Sequence, residues 1–259
     1  MVLNDIQPSV NRSVLADEQH GFRPGRSTVT CNITLCNYIF SSFNVGTQVD
    51  VIYTDFSKAF DSVNHKLLLH ILRSSGFGEP LLSWFESFLT NRPQWVKLFD
   101  VRSEPFIATS GVPQGGHLSP LLFSLFVNNA QSVLHHSRLL CFADDMKLYK
   151  LIRTTEDCSL LQSDLDRFVT WSKSLGLNLN IAKCCSMSFT RNRSPIIYTY
   201  LINGVGVSSV ESIRDLGFIF TPSLSPRSYI TSIVCKAYKL LGFIRRAQIS
   251  LLCSRQTDS

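Results

Sequence analysis

The chain has 259 residues, of which 44% are hydrophobic and 18 are Phe, and a formal net charge of +6. That length and apolar content exclude a disordered tail or a disulfide-stapled miniprotein. They suit one large domain, or a domain with lobes, burying roughly 70–75% of the surface its unfolded chain exposes.

Residues 1–18 carry little pattern. A Gly/Pro/Arg loop follows from Gly21 to Ser27, and the spacing of Ile33, Cys36, Ile39, Phe40 and Phe43 predicts a helix over 29–43. Arg23 and Arg26 stand on the loop before that helix. A guanidinium there can grip phosphate beside the helix-start amides, or can simply be solvated. Residues 49–54 are β-branched and aromatic and read as a buried strand that ends at Asp55. A helical pattern runs on from Ser57 to about Arg73, with Val63, Leu67 and Ile71 on one stripe, and stops at the Gly76 to Pro80 segment. Residues 81–89 read as a second short helix whose Trp84, Phe85 and Phe88 suit a core better than base-stacking platforms. Residues 95–99 and 106–109 read as the two strands of a hairpin.

The loop Ser110-Gly111-Val112-Pro113-Gln114-Gly115-Gly116 has glycines that let a backbone approach a ligand. A buried helix is expected over 121–127, with Pro120 in its first turn. Leu139 to Tyr149 reads as strand, tight turn and strand, with Asp144 and Asp145 at the turn. Residues 157–175 are amphipathic, with Leu161, Leu165, Phe168 and Leu175 on one face and Gly176 at the end. Residues 177–181 and 185–189 read as strand around Lys183. Short strands are expected over 198–203, 205–207 and 212–220. From Ser228 the chain is helical again. Ile230, Ile233, Ala237, Leu240, Leu241 and Ile244 face one way and Lys236, Lys239, Arg245 and Arg246 the other, as a solvated basic face or one that follows a nucleic-acid backbone.

Two adjacent acids on a turn between buried strands raise one another's pKa, and no Lys or Arg precedes them locally. Hard carboxylate oxygens suit Mg²⁺ or Mn²⁺, which would remove that cost; otherwise the pair merely punctuates a hairpin. Asp55, 89 residues before Asp144, tips the choice. Three convergent carboxylates could hold two metal ions about 3.5–4 Å apart, a device for in-line phosphoryl transfer. A basic chain around such a cluster suits a polyanion held at a metal site. The eight cysteines lack a Cys-x-x-Cys spacing and a nearby His pair, so they read as reduced thiols of the cytosol or nucleus. No basic-then-apolar leader is present and no apolar run reaches the ~18 residues of a membrane helix, so neither secretion nor a membrane span is expected.

Five motifs now stand in order: Gln19-His20-Gly21-Phe22-Arg23-Pro24-Gly25-Arg26-Ser27-Thr28; Asp55-Phe56-Ser57-Lys58-Ala59-Phe60-Asp61; Ser110 to Gly115; Phe142-Ala143-Asp144-Asp145; and Gly176-Leu177-Asn178-Leu179-Asn180 with Lys183. Together they resemble the reverse-transcriptase domain of non-LTR, LINE-type retrotransposons, nearest the jockey-like group, over about residues 17–246. A viral RNA-dependent RNA polymerase would share a palm but not the loop from Gln19 to Thr28. The resemblance implies an α+β right-hand polymerase: partial fingers over 1–48, a palm with finger elements over 49–222, and the start of a thumb over 223–259. It implies an RNA-directed DNA polymerase that joins dNTPs to a primer on an RNA template, with two Mg²⁺ (or Mn²⁺) ions on Asp55, Asp144 and Asp145.

The same resemblance implies that Lys183 protonates the leaving pyrophosphate, unless it is a plain turn lysine. It groups Arg23, Arg26, Phe56, Phe60 and Gln114 around the nucleotide. Phe60 is then a steric gate against a 2′-hydroxyl, unless it is core. Three places depart from the family pattern: Gly116 where Ser is usual, Ser119 where Gly is usual, and Asn128-Asn129 where Asn-Asp is usual. Endonuclease and zinc-knuckle segments are not in the sequence, so the chain reads as part of an element's open reading frame. The alternative is a decayed or domesticated remnant that at most binds nucleic acid.

Overall fold

The computed structural model describes residues 2–257, with side chains over residues 3–246. These form two compact units, divided in sequence between Val210 and Glu211. The first unit begins with α1 (Val2–Ser13), α2 (Thr28–Asn44) and β1 (Gln48–Thr54). A 3-10 turn (Ala59–Ser62) leads to α3 (His65–Ser74) and α4 (Leu81–Leu89), then to β2 (Pro93–Gln94), β3 (Lys97–Leu98), β4 (Val101–Arg102) and β5 (Phe106–Ile107). Next come α5 (Ser119–Phe126), a second 3-10 turn (Ala130–Val133), β6 (Arg138–Phe142), β7 (Asp145–Ile152), α6 (Thr155–Ser174) and β8 (Cys185–Phe189). The unit closes with β9 (Leu201–Ile202), β10 (Val205–Gly206) and β11 (Ser208–Ser209). The second unit holds β12 (Ile213–Asp215), β13 (Phe218–Phe220) and α7 (Arg227–Thr257).

A five-stranded sheet in the order β11-β8-β1-β7-β6 organises the first unit. β1 lies at its centre, antiparallel to β7 and to β8, with all seven residues buried. Its run of β-branched and aromatic residues suits a strand covered on both faces. On one face Ile52 and Leu148 share a core with Leu68 and Leu72 of α3, Phe123 and Phe126 of α5, and Leu161, Leu165 and Phe168 of α6. Each fully buried Leu, Ile or Phe contributes roughly 1.5–3 kcal/mol. On the other face Tyr149 meets Tyr38 of α2 edge-on, with ring centroids 4.9 Å apart.

Several expectations need correction. Residues 2–13 form a helix that the sequence hides behind Pro8 and sparse apolar positions; Val10 is buried and Leu3 and Ile6 pack on the core. α2 buries Cys31, Leu35 and Ile39, while Ile33 and Phe40 are exposed, so the apolar stripe that reaches the sheet is rotated from the expected one. The helix expected from Ser57 is interrupted: Lys58 is left-handed, and α3 starts afresh with Asn64 capping Leu67 N–H. α3 then buries Leu68 and Leu72 rather than Leu67 and Ile71. The hairpin is nested, with β2 pairing β5 and β3 pairing β4, so Trp95 lies between two short ladders. Residues 177–181 form no strand beyond one bridge from Leu179 to Phe56. In the second unit the apolar positions Ile230, Ile233, Leu240 and Ile244 of α7 are as exposed as its basic ones. Among the described residues no helix is long and apolar enough to cross a membrane.

Candidate active site

The site begins with strand register. The last β1–β7 pair is Thr54 with Met146, and Asp55 follows at once. β6 and β7 close a hairpin whose final pair is Phe142 with Asp145, which leaves Ala143 and Asp144 as the turn. Asp55 and Asp144 therefore reach the same end of the sheet. The Asp144 carboxyl is held above the ordinary carboxylate range, by burial first and by the negative charge of Asp55 as well. Asp145 is exposed. Among the described residues no three His, Cys, Asp or Glu side chains gather tightly enough to hold an ion by themselves. The geometry thus brings Asp55 and Asp144 to one end of the sheet, with Asp145 exposed next to Asp144.

The donor set still fits a hard divalent cation. Asp55 Oδ1 is shielded from solvent and accepts no hydrogen bond. Its counter-charge is Lys183 Nζ at 3.6 Å, an ion pair too open to solvent to be worth more than about 1 kcal/mol. A shielded carboxylate oxygen beside a second carboxylate is where a cation gains most. Lys183 is brought there by the backbone: Asn180 N–H donates to Asp55 O, and Ser57 N–H donates to Asn178 O, both at 2.8 Å. The segment with Gly176 to Asn180 is thereby tied alongside the residues leaving β1.

A second cluster forms where the loop after β5 meets the turn after β1. Gly111 N–H donates to Val63 O and Val112 N–H to Phe60 O. Gly111 has φ +84°, and a Cβ there would lie 2.9 Å from the Asp61 backbone, so only glycine fits. Gln114 Nε2 donates to Asp61 Oδ1 at 2.8 Å. The Phe60 ring is half-buried and stacks on Phe123, with centroids 4.4 Å apart. Phe60, Gln114, Gly115 and Phe22 line one cavity of about 640 Å³. Neither Asp55 nor Asp144 lines that cavity, so the acids and the cavity are neighbouring parts of a site rather than one pocket.

Other expected residues are placed differently. The Phe56 side chain turns into the core, 6% exposed, with its ring 6.2 Å from Phe168, because it alternates with Asp55 along the chain. Arg23 is a brace: its guanidinium donates to the carbonyls of Ala16, Gln19 and Asn11. Arg26 donates to Asp17 and to His20 Nε2, and stays partly open on a cavity of about 490 Å³ that also holds Arg138. His20 is lowered to about 4 by burial and then by Arg26 and Arg23, so it is neutral at pH 7. Sequence reasoning missed Gln19 and Asp61 as single residues; both sit inside the motifs, and only tertiary pairing reveals their partners.

The departures from the family pattern have local reasons. A Cβ on Gly116 would lie 3.1 Å from Ser119 Oγ and 3.2 Å from Pro113 O. Ser119 Oγ itself donates to Pro113 O. The hydroxyl and the glycine have exchanged places, and the loop keeps one of each. Asn128 holds Ala16 N–H and Val14 O, and Asn129 Oδ1 accepts from Trp171 Nε1, a bond an aspartate would also make.

Known proteins resemble this chain in sequence and in fold. The family described as Reverse transcriptase (RNA-dependent DNA polymerase) matches residues 1–243. The chain is 29% identical, over 94% of its length and 28% of the relative, to a "Probable RNA-directed DNA polymerase from transposon BS" of Drosophila melanogaster. It is 30% identical, over 90% of its length and 26% of the relative, to an "RNA-directed DNA polymerase from mobile element jockey" of Drosophila funebris. The chain thus spans about a quarter of the curated relatives it matches. Among solved structures, apo telomerase from Candida tropicalis, truncated from its C-terminal domain, superposes with a TM-score of 0.56 at 13% identity, over 86% of this chain and 43% of that one. Telomerase from Candida albicans with a fragment of telomeric RNA gives 0.54 at 14% identity, over 86% and 36%. These likenesses carry the fold: an α+β right-hand polymerase palm.

Proposed function

The chain belongs to the reverse transcriptase (RNA-dependent DNA polymerase) family, and from that premise we propose that it carries the palm of an RNA-directed DNA polymerase, which extends a DNA primer with dNTPs on an RNA template. The observation that carries the reading is the meeting of Asp55 and Asp144 at one end of the sheet, with Asp55 Oδ1 shielded and without a hydrogen bond.

Asp55 and Asp144 hold Mg²⁺ or Mn²⁺ in this proposal, and exposed Asp145 makes an outer contact. Two such ions, when bound, lower the pKa of an attacking 3′-hydroxyl and offset the charge of a triphosphate. The chain's own residues bind and orient. Lys183, already 3.6 Å from Asp55, donates a proton to the departing pyrophosphate. Phe60 forms the floor under the sugar, where a flat ring admits a 2′-hydrogen and collides with a 2′-hydroxyl. Gln114, held by Asp61, presents its amide at the mouth of the same cavity. Arg26 contacts phosphate from the fingers, and Arg23 fixes the loop that carries it. Residues 1–48 act as partial fingers, 49–222 as palm, and 223–259 as the start of a thumb whose basic stripe follows the duplex backbone. RNA as a partner class accords with the telomerase captured with a TWJ fragment of telomeric RNA. Cys141, Cys158, Cys184 and Cys235 are free thiols, which suits the reducing cytosol or nucleus.

The test is extension of oligo(dT) on poly(rA) with dTTP and Mg²⁺. Incorporation that depends on template and metal is expected. A folded chain that binds this substrate and adds nothing would overturn the proposal.

A further inference from the structure

β6 is an edge strand of the sheet, and residues 18–20 run along its outer side. His20 N–H donates to Cys141 O at 2.8 Å and Cys141 N–H donates to Glu18 O at 2.9 Å. Gln19 lies between them, 3% exposed. Its Oε1 accepts from Gly21 N–H at 2.8 Å and from Ala143 N–H at 3.0 Å. Ala143 is buried and left-handed, with φ +58°, a conformation that residues with a side chain rarely adopt. It immediately precedes Asp144 in the two-residue turn between β6 and β7, so its backbone conformation sets where Asp144 stands. Gly21 makes room for the arrangement: a Cβ there would lie 2.4 Å from Ala143 N and 3.1 Å from Gln19 Oε1.

We propose that Gln19 is a positioning residue for Asp144: its Oε1 holds Ala143 in the left-handed conformation that points the acid toward Asp55. Nothing about Gln19 requires contact with substrate. Without it the buried Ala143 N–H has no acceptor, and the turn gains by rotating to satisfy it. The next residue, Phe22, is also left-handed; its ring lies 6.4 Å from Phe142 and lines the cavity with Phe60 and Gln114. The loop from Gln19 to Phe22 therefore touches both halves of the site. The inference deepens the polymerase reading and rests on it for its purpose, although the clamp can be tested without catalysis.

The experiment compares the whole chain with Gln19→Ala, Ala143→Gly and the double variant. Amide exchange at Ala143 and Mn²⁺ titration are followed on each, with melting temperature alongside. Gln19→Ala is expected to release the Ala143 amide and to weaken Mn²⁺ binding about 10–100-fold, the usual cost of removing a group that orients a metal ligand. Glycine takes the left-handed conformation without strain. Ala143→Gly added to Gln19→Ala should therefore recover most of the Mn²⁺ affinity, although it adds no contact. Two results overturn the proposal: an Ala143 amide equally protected with and without Gln19, or Mn²⁺ affinity that falls with melting temperature and is not recovered by glycine. If the wild type fails to extend a primer while Gln19→Ala releases the Ala143 amide and glycine recovers the Mn²⁺ affinity, the polymerase reading falls and the clamp stands.

Discussion

Gln114 Nε2 donates to Asp61 Oδ1 at 2.8 Å, joining the loop after β5 to the 3-10 turn after β1. The bond is exposed, so its net worth is about 0.5–1.5 kcal/mol, or roughly two- to tenfold in affinity. Asp61→Ala should raise the KM for dNTP within that range and leave kcat nearly unchanged. Asp61→Asn keeps an acceptor and should restore most of the loss. Steady-state kinetics on one template reads both; equal KM values in all three proteins would mean the amide of Gln114 is not what the nucleotide meets.

The Phe60 ring stacks on Phe123 and still reaches the cavity wall, so it has a core face and an open face. Phe60→Val keeps the core contact in part and removes the flat floor. Overlap with a 2′-hydroxyl costs a few kcal/mol, and each ~1.4 kcal/mol is tenfold in selectivity. The ratio of kcat/KM for dTTP over UTP should fall by about tenfold or more. A ratio that stays put would make Phe60 a core residue and move sugar selection elsewhere.

Asp164 lies on the buried face of α6 with its side chain fully shielded. It accepts from the backbone N–H groups of His135, His136 and Ser137, from Ser137 Oγ, and from Arg167 Nη1. Burial alone would raise its carboxyl, and these donors outweigh that and hold it below the ordinary range. The folded state thus binds the proton less readily than the unfolded chain. The stabilisation is complete above the unfolded value of about 3.9 and is lost as pH falls through the depressed folded value. Asp164→Ala strands several buried donors and should cost on the order of 3–5 kcal/mol at neutral pH. Its urea midpoint should also depend less on pH below about 5 than that of the wild type. Matching acid profiles would place the protective contact elsewhere.

Asp164 also marks where reading the sequence stopped short. The period of 3.6 places Leu161, Leu165 and Phe168 on the covered face, and all three are buried. An acid at 164 interrupts that face, and nothing local says that it caps the loop feeding β6. The strand ending at Asp55 and the hairpin at Asp144 were legible because alternation, turn chemistry and strand length are local properties. The clamp at Gln19 was not, because its Ala143 partner lies 124 residues away. α3 was displaced by one position for a similar reason: left-handed Lys58 and the Asn64 cap reset the helix start, and the buried stripe moved with it. Asp145 lies next to Asp144 in sequence, but as the first residue of β7 it stands exposed at the strand's end, ahead of the buried run that follows.

The central claim is that the acids do chemistry rather than punctuate a turn. The most direct measurement is the single-turnover rate of dTTP addition to oligo(dT) on poly(rA), with the primer–template dissociation constant measured on the same samples, for wild type and Asp144→Asn. The asparagine keeps the shape of the turn and removes the charge that binds metal. The rate should fall by several orders of magnitude, on the scale of losing a metal-held hydroxyl. The dissociation constant should stay within about threefold, because phosphate contacts carry binding. An asparagine variant that extends primers at the wild-type rate would contradict the claim.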